Sequence, residues 1–369
     1  MEQILLLTKE YSKNRHLEMI QRVSNNVMDE LELLYDTTWE INKHIAPYEI
    51  LTQLMDCYYC LPERPDLASL FCWQAINNSY NQYLLSDGNF LRLSDTKGID
   101  VLLKHIHLRY GKYGVYLDKY YDKISTKSYH YAASYILKGH VIKKAGFADK
   151  YASSSYTTFV KKFKNLYNVI ADSYGKAYEQ VTAPGLNGNF VKLNISNCDK
   201  SRKIIYSLAL KLKNLMTGMS VNITLKNATS QTTSVILTDK ERLEFLVYCI
   251  LYASRCNNFH GSVASRLNSR YADQESYITY MNIFLVEYII LAISLNERGI
   301  LSDNELLRMK RNSLSFSYEG RLFMSLTENE KKVIEALRKI AKRSNDAEVR
   351  IDKNGEFKVI EVKKNIVVG

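Results

Sequence analysis

Apolar residues recur at intervals of three and four along most of this chain, which is the spacing that places them on one face of an α-helix. In the N-terminal part, the clearest run begins after a break at Pro62 and Pro65, where Asp66 is the predicted N-cap. Its apolar positions are Leu67, Leu70, Phe71, Ile76 and Tyr80. The first 90 residues show no catalytic pattern, and we interpret them as helical scaffold.

The helical period continues beyond this scaffold. Helices are predicted over residues 155–181 and 200–217. Between them, Pro184, Gly185 and Gly188 predict a break in the chain, because these residues disfavour a helix interior.

The period changes once, over residues 219–237, where apolar and polar residues alternate and predict a β-hairpin. The helical period then returns. Thr238 and Glu241 have the spacing of a capping box, and the helix that follows them is apolar nearly all round, which predicts burial. A second apolar helix is predicted from Asp273 to Leu295.

The amino-acid composition favours a mostly helical protein. The 369 residues include only 4 Pro and 15 Gly, too few for the many tight turns of an all-β fold. We therefore predict an all-α fold: a helical bundle with a small β-hairpin insertion and a C-terminal helix plus β-hairpin appendage. The predicted domains are an N-terminal helical region over residues 1–150, the bundle over residues 151–320, and the appendage over residues 321–369.

Positive charge is concentrated in one stretch. The chain has 50 Lys and Arg against 39 Asp and Glu, a formal charge of +11, which is compatible with an anionic partner. Residues 97–176 hold 15 of these basic residues, 5 of the acidic ones and 12 of the 28 tyrosines. The helical spacing of the tyrosines favours a packed core over a stacking surface for bases. Lysines are rarely buried, so five of them form a candidate RNA-binding surface: Lys143, Lys144, Lys161, Lys162 and Lys164.

Cysteine usage and hydropathy indicate in which cellular compartment the protein resides. Cys57 and Cys60 form a CxxC pair, but no second pair follows at the spacing of a zinc site. We interpret all six cysteines as reduced thiols of a cytoplasmic protein. The N-terminus has no signal-peptide pattern, and the longest apolar run, Ile283 to Leu295, is shorter than the ~20 residues of a membrane span. We expect no membrane association, no metal and no cofactor.

Side chains that can take part in catalysis cluster where the apolar helix after Thr238 ends. Positions 255–261 have the sequence RCNNFHG. Arg255 supplies a permanent charge and a fork of donors suited to phosphate, and His260 can give or take a proton near neutral pH. Such a pair can cleave RNA without a metal, because the ribose 2′-hydroxyl is itself the nucleophile. The histidine then moves the proton while the arginine stabilises the charge on the phosphorane.

This pair also has a structural interpretation, since an Arg and a His near a helix C-terminus can interact with the negative end of the helix dipole. Two Asn between them and the apolar helices on both sides favour the chemical interpretation. Residues five apart on a continuous helix diverge by about 140°. We therefore expect the two side chains to converge only where the helix ends or distorts, or where a second copy completes the site.

The segment RCNNFHG, which follows an apolar helix ending in LYAS, resembles the RxxxxH signature of the HEPN (higher eukaryotes and prokaryotes nucleotide-binding) superfamily. Members of that superfamily are all-α bundles that dimerise and place two such motifs across the interface. Many are metal-independent endoribonucleases of toxin–antitoxin, abortive-infection and other anti-phage systems. The resemblance implies that Arg255 and His260 are catalytic and that Asn257 is the polar residue that often follows the Arg.

The resemblance departs from the family pattern just after His260. A basic residue often follows the HG pair shortly, whereas Ser262 and Val263 stand here and the next basic residues are Arg266 and Arg270. We expect these two arginines to contact RNA.

The function implied by the resemblance is that of an endoribonuclease acting on tRNA, rRNA or mRNA, as a homodimer with a composite active site. Its role would be that of a toxin or effector in abortive infection or toxin–antitoxin defence. An unrestrained ribonuclease harms its host, so we expect an inhibitory or trigger protein partner, with residues 1–150 as a sensor or partner-binding region. The alternative is a non-catalytic RNA- or protein-binding subunit of a defence complex.

Overall fold

The computed structural model describes residues 31–34, 48–86, 95–226, 231–259, 274–315, 346–351 and 357–362, together with positions 333, 336 and 340. Met1–Ser313 forms one compact unit and Leu314–Gly369 a second. Most of the described residues are helical. The predicted mostly α-helical fold is therefore confirmed.

The helices are numbered here in chain order. The first five are α1 (Tyr48–Cys60), α2 (Pro65–Ser86), α3 (Asp95–Leu108), α4 (Tyr110–Tyr121) and α5 (Thr126–Lys144). The next four are α6 (Ser154–Lys162), α7 (Lys164–Ile170), α8 (Lys176–Glu179) and α9 (Cys198–Met216). They are followed by α10 (Asp239–Phe245), α11 (Tyr252–Phe259), α12 (Gln274–Glu297), α13 (Asp303–Arg308) and α14 (Asn312–Ser315).

Two pairs of these helices are joined by π-helical turns. Ala171–Gly175 connects α7 to α8, and Leu246–Leu251 connects α10 to α11. The single helix predicted over residues 155–181 is wrong at one point, because the backbone leaves the helical region at Phe163, between α6 and α7.

Helix α12 is the centre of the first unit. Residues 279–296 are all buried, and the helix packs along α2, which in turn packs along α1. The hydroxyls of Ser79 on α2 and Ser294 on α12 lie 2.5 Å apart and share a hydrogen bond, which satisfies two buried polar groups. These two residues are 215 positions apart in the chain, so helices from both sides of residue 150 share one core.

Helix α12 is also long and apolar enough to cross a membrane by length and composition. In this structure, 89% of the most apolar 18-residue window of Glu275–Glu297 is buried inside the protein. A core helix surrounded by other helices has the same length and composition, so this property by itself does not indicate a membrane protein.

The tyrosines of α4 and α5 are packed as the sequence predicts. Their hydroxyls reach polar partners at the edges of the core: that of Tyr113 donates to Glu297 over 2.7 Å, and that of Tyr120 donates to the carbonyl of Met309 over 3.2 Å. The core interpretation of the tyrosine set is therefore confirmed at these positions. The buried members are Tyr113, Tyr116, Tyr120, Tyr121, Tyr129 and Tyr135.

The described residues also form three antiparallel hairpins. The first pairs β1 (Thr182–Asn187) with β2 (Phe190–Ile195), and the second pairs β3 (Val221–Thr224) with β4 (Thr232–Val235). The third pairs β5 (Asp346–Ile351) with β6 (Phe357–Val362). The second hairpin confirms the predicted insertion, and the third confirms the predicted C-terminal hairpin.

The β1–β2 hairpin was not predicted from the sequence. Pro184 and Gly185, which predict a break, lie inside β1, where Pro184 is paired with Leu193. A two-stranded ribbon has only edge strands, which tolerate proline. Gly188 turns the chain between the strands with a φ of 63°, a conformation that favours glycine.

The start of α2 differs slightly from the prediction. Pro65 is the first helical residue, a position that its fixed φ suits. Asp66, the predicted N-cap, lies in the first turn instead and accepts hydrogen bonds of 2.9 and 2.7 Å from the guanidinium of Arg64. Its charge still interacts favourably with the positive end of the helix.

Candidate functional site

The helix that carries Arg255 is anchored at its start by a capping box. The backbone N–H of Glu241 donates to the Thr238 hydroxyl over 3.3 Å, and the backbone N–H of Thr238 donates to the Glu241 carboxylate over 2.9 Å. Both contacts satisfy donors that a helix N-terminus leaves exposed. The predicted capping box is therefore confirmed.

The π-helical turn Leu246–Leu251 lies in the buried middle of this helix. All six of its side chains are buried. The carbonyl of Cys249, within this turn, accepts a hydrogen bond from the Tyr135 hydroxyl on α5 over 3.1 Å. On another side, the Tyr248 hydroxyl donates to the Asp100 carboxylate and lies 3.3 Å from the carbonyl of Thr96, both on α3. The middle of the helix is thus fixed against α3 and α5 before the chain reaches Arg255.

Arg255 lies near the end of α11, held between an acid and an aromatic ring. Its Nη1 atom is 3.7 Å from a carboxylate oxygen of Asp95, the first residue of α3, and its guanidinium carbon is 5.9 Å from the centre of the Tyr252 ring. The side chain is 22% exposed. Arg255 therefore lies at the boundary between the core and the solvent, where a charge can contact a ligand.

The aromatic side of this site is formed by α2 and α11. The ring of Tyr252 lies 5.9 Å from that of Trp73. Burial raises the pKa of Tyr252 to about 12, with further upward contributions from Cys256 and Asp95, while Arg255 lowers it. Burial and Asp95 likewise raise the pKa of Tyr80 on α2. Both tyrosines therefore stay neutral at physiological pH and can donate hydrogen bonds.

The other two predicted catalytic positions are only partly covered by the structure. Asn257 lies within α11, about 200° around the helix axis from position 255, and its side chain is outside the described residues. His260 is outside them entirely. The backbone from Arg255 to Phe259 is unbroken α-helix, so no distortion within this stretch brings position 260 toward position 255. Two ways for His260 to reach an arginine therefore remain. Either the chain changes direction from residue 260 onward, or a second copy of the chain supplies the partner.

The predicted RNA-binding lysines occupy two kinds of position. Lys143, Lys144, Lys161 and Lys164 are exposed, and Lys143 also forms an ion pair with Asp149. The ammonium of Lys162 lies 2.5 Å from the Asp100 carboxylate, and it sits over the Tyr248 ring at 4.7 Å.

Lys162 and Arg255 thus pair with two carboxylates of the same helix, α3, at positions 100 and 95. Arg266 and Arg270 lie outside the described residues.

A second cluster of chemically capable side chains was missed by the sequence analysis. Nε2 of the buried His140 lies 2.7 Å from the Glu179 carboxylate, and its Nδ1 lies 3.1 Å from the Tyr167 hydroxyl. That hydroxyl is 2.8 Å from the hydroxyl of Tyr156. These four residues come from four different helices, α5 to α8, so no sequence spacing reveals the chain of hydrogen bonds.

The cysteines and potential metal ligands add no further site within the described parts of the chain. All six cysteines are free thiols, and Cys57 of the CxxC pair is buried, with its sulfur 3.3 Å from the carbonyl of Ala68. No group of three or more His, Cys, Asp and Glu side chains in the described ranges is arranged to hold a metal ion.

Comparisons of this chain with protein-family models, with curated proteins and with solved structures find no match.

Proposed function

We propose that this protein is an endoribonuclease that cleaves RNA by attack of a ribose 2′-hydroxyl on the adjacent phosphate, with Arg255 and His260 as the catalytic pair. The observation that carries the proposal is the setting of Arg255. A guanidinium is held at the core boundary by Asp95 and Tyr252, near the end of a buried helix, five residues before a histidine.

The proposed reaction needs only groups that RNA and this chain supply. The 2′-oxygen attacks the phosphorus and loses its proton to a base, the bond from phosphorus to the 5′-oxygen breaks, and the leaving 5′-oxygen takes a proton. The products are a 2′,3′-cyclic phosphate and a free 5′-hydroxyl. His260 transfers one of these protons, and Arg255 stabilises the extra negative charge on the phosphorane.

A homodimer with a composite active site is part of this proposal. The unbroken helix from Arg255 to Phe259 supports it, because within one copy only residues from 260 onward are left to turn a histidine toward the arginine. In the dimer, His260 of one protomer acts with Arg255 of its partner on one phosphate.

The proposed setting is the cytoplasm, and the proposed role is that of a toxin or effector in anti-phage defence, acting on tRNA, rRNA or mRNA. This role follows from the resemblance of RCNNFHG to HEPN ribonucleases. A restraining or triggering protein partner belongs to the same proposal.

The direct test is cleavage of total RNA and of tRNA by the purified protein in excess EDTA. The expected result is cleavage that survives chelation, leaves cyclic phosphate ends, and disappears in the His260→Ala and Arg255→Ala variants. Arg350→Ala is the matched control, because Arg350 is an exposed arginine on β5 and belongs to neither proposed RNA site.

Two results would contradict the proposal. One is cleavage that is unchanged in His260→Ala. The other is intact RNA after incubation with a folded dimer, together with expression in cells that is equally harmless for the natural sequence and for His260→Ala.

A second candidate function is a non-catalytic RNA-binding subunit. It is favoured by three lysines of α9, Lys200, Lys203 and Lys211, which line one groove. That subunit would bind RNA equally well with and without Arg255 and His260. Toxicity on expression that is relieved by His260→Ala would exclude it.

A further inference from the structure

Three lysines form a row along one face of α9. Lys200, Lys203 and Lys211 share this face with Ile204 and Ser207, in the spacing i, i+3, i+4, i+7 and i+11 that keeps residues on one side of a helix. At 1.5 Å per residue the row is about 16 Å long, which is long enough to follow several consecutive phosphates of an extended strand.

The row forms one wall of a groove with a volume of about 460 Å³. The π-helical turn Ala171–Gly175 and α8 form the facing wall, with Tyr174 and Ala177. Strand β3 closes one end, with Asn222 and Thr224. A fourth lysine, Lys226, stands at the same end.

Hydrogen bonds between the walls hold the groove in shape. The Tyr174 hydroxyl lies 3.3 Å from the Ser207 hydroxyl across the groove. The Ser173 hydroxyl donates to the carbonyl of Thr224 over 2.6 Å, and the N–H of Lys226 donates to the carbonyl of Asp172 over 2.9 Å. A ligand therefore meets a groove that is already formed, which lowers the entropic cost of binding.

The four ammonium groups form no ion pair with any residue that the structure describes. The two carboxylates at the margins are each paired with another cation: Asp172 with Lys176 at 2.9 Å, and Asp199 with Arg202 at 3.8 Å. Like charges three residues apart repel each other. A polyanion in the groove removes this repulsion.

An exposed aromatic ring lies beside Lys203 at the edge of the row, outside the lining of the groove. Tyr206, three residues after Lys203 on α9, is 53% exposed, and an exposed ring beside lysines is the combination on which unpaired bases stack. The hydroxyls and amide of Ser207, Asn222 and Thr224 offer further hydrogen bonds within the groove. A paired duplex has no free base that can stack on this ring, and an acidic peptide has no base at all.

We infer that this groove binds a single strand of nucleic acid, with phosphates along Lys200, Lys203 and Lys211 and one base stacked on Tyr206. The site is separate from Arg255, and it goes beyond the proposed cleavage: the groove binds a strand whether or not the chain cuts it.

Binding is measured by fluorescence anisotropy in EDTA with the full chain carrying His260→Ala, so that the probes stay intact. The probes are fluorescein-labelled 20-mers of oligo-U and oligo-dT, a 20-base-pair RNA duplex and a poly-glutamate peptide. The peptide carries the same net charge as one single-stranded 20-mer. The triple variant Lys200→Gln, Lys203→Gln, Lys211→Gln should bind single strands at least tenfold more weakly. Its plot of log binding constant against log salt should be shallower by about 2, since each phosphate contact to a single strand contributes ~0.7.

The matched control removes three exposed lysines elsewhere, with Lys119→Gln, Lys138→Gln and Lys192→Gln. It should change binding less than threefold. Tyr206→Ala should weaken oligonucleotide binding by about tenfold, from the loss of one stacked base, and should leave poly-glutamate binding unchanged.

Oligo-U and oligo-dT report which sugar the groove accepts, and tight binding of either one supports the inference. It is overturned if the groove and control triple variants bind alike, or if the duplex or poly-glutamate binds as tightly as the single strands. These results do not depend on cleavage, so failure of the groove is distinguishable from failure of the proposed ribonuclease.

Discussion

Nη1 of Arg255 lies 3.7 Å from a carboxylate oxygen of Asp95, so the end of α11 and the start of α3 are joined by an ion pair at the candidate site. The distance is longer than a hydrogen bond, and the two side chains are 22% and 42% exposed. Asp95 therefore orients the guanidinium without enclosing it, and a phosphate can approach the same group.

The two residues of this ion pair should differ sharply in their effect on cleavage. Arg255→Ala should lower the rate of RNA cleavage by about 10²–10³-fold, the usual cost of removing one transition-state donor. Asp95→Asn keeps the shape and removes only the orienting charge, so the loss should stay below about tenfold. The free energy of unfolding should fall by no more than ~1 kcal/mol in Asp95→Asn, because the pair is partly exposed. Equal losses of activity in both variants would assign Arg255 to structure instead of catalysis.

The carboxyl group of Glu287 makes stability depend on pH. Glu287 is fully buried on α12, and neither oxygen has a hydrogen-bond partner of normal geometry within the described residues, although the Ser69 side chain opposes the shift in part. Burial raises its pKa well above the usual range. The folded state therefore holds this proton at pH values where the unfolded chain has lost it, and stability falls as the pH rises above the unfolded value of 4.5.

Urea denaturation at pH 5 and pH 8 measures this effect. Relative to the natural sequence, Glu287→Gln should gain free energy of unfolding as the pH rises, because the amide has no proton to lose. Glu275→Gln, on the same helix but 63% exposed, is the control and should show no such gain. A difference between the natural sequence and Glu287→Gln that is the same at both pH values would contradict the assignment.

The contact between Gly175 and His140 should make a single methyl group costly. A Cβ atom at Gly175 would lie 2.7 Å from Nε2 of His140, the atom that contacts Glu179. Gly175→Ala should therefore displace the imidazole and lower the free energy of unfolding by about 1–3 kcal/mol. Gly111→Ala, at an exposed position of α4 with no atom within 4 Å of the added Cβ, should instead raise it by ~0.5–1 kcal/mol. Chemical denaturation of both variants checks the opposite signs.

The capping box at Thr238 should contribute measurably to stability. Thr238→Ala removes the hydroxyl that accepts from the backbone of Glu241, and the expected loss is about 1–2 kcal/mol in the free energy of unfolding. Thr238→Ser keeps the hydroxyl and should lose less than about 0.5 kcal/mol. Similar losses in both variants would mean that methyl packing, and not capping, stabilises this helix start.

The parts of the fold that depend on local sequence were predictable. The apolar helix α12, the capping box at Thr238 and the hairpin around residues 221–235 each follow from a period or a spacing within a short segment. The β1–β2 hairpin was missed because Pro184 and Gly185 are breakers of helices, yet an edge strand accepts both.

The surroundings of the candidate site were less predictable, because they depend on contacts between distant segments. Asp95 and Arg255 are brought together only by the packing of α3 against the helix of α10 and α11, and nothing in either local sequence points to the other. The lysine row on α9 did leave a signal. Positions 200, 203, 207 and 211 have the spacing of one helix face, but the positive charge per residue is higher in residues 97–176, and charge density alone favours Lys143–Lys164 as the RNA-binding surface.

The π-helical turn between Leu246 and Leu251 determines which way Arg255 faces. A π turn contains one residue more than an α turn, and each residue of a helix advances the following side chains by about 100°. If the same residues formed a regular α-helix instead, every side chain after the turn would be rotated by about that angle, and Arg255 would face away from Asp95 while Thr238 and its cap stayed in place. The orientation of the proposed catalytic arginine therefore depends on the turn staying π-helical at its present length. Loss of one residue that removes the π turn would keep the phase of the helix, whereas a change to α-helical hydrogen bonds without a deletion would turn Arg255 away.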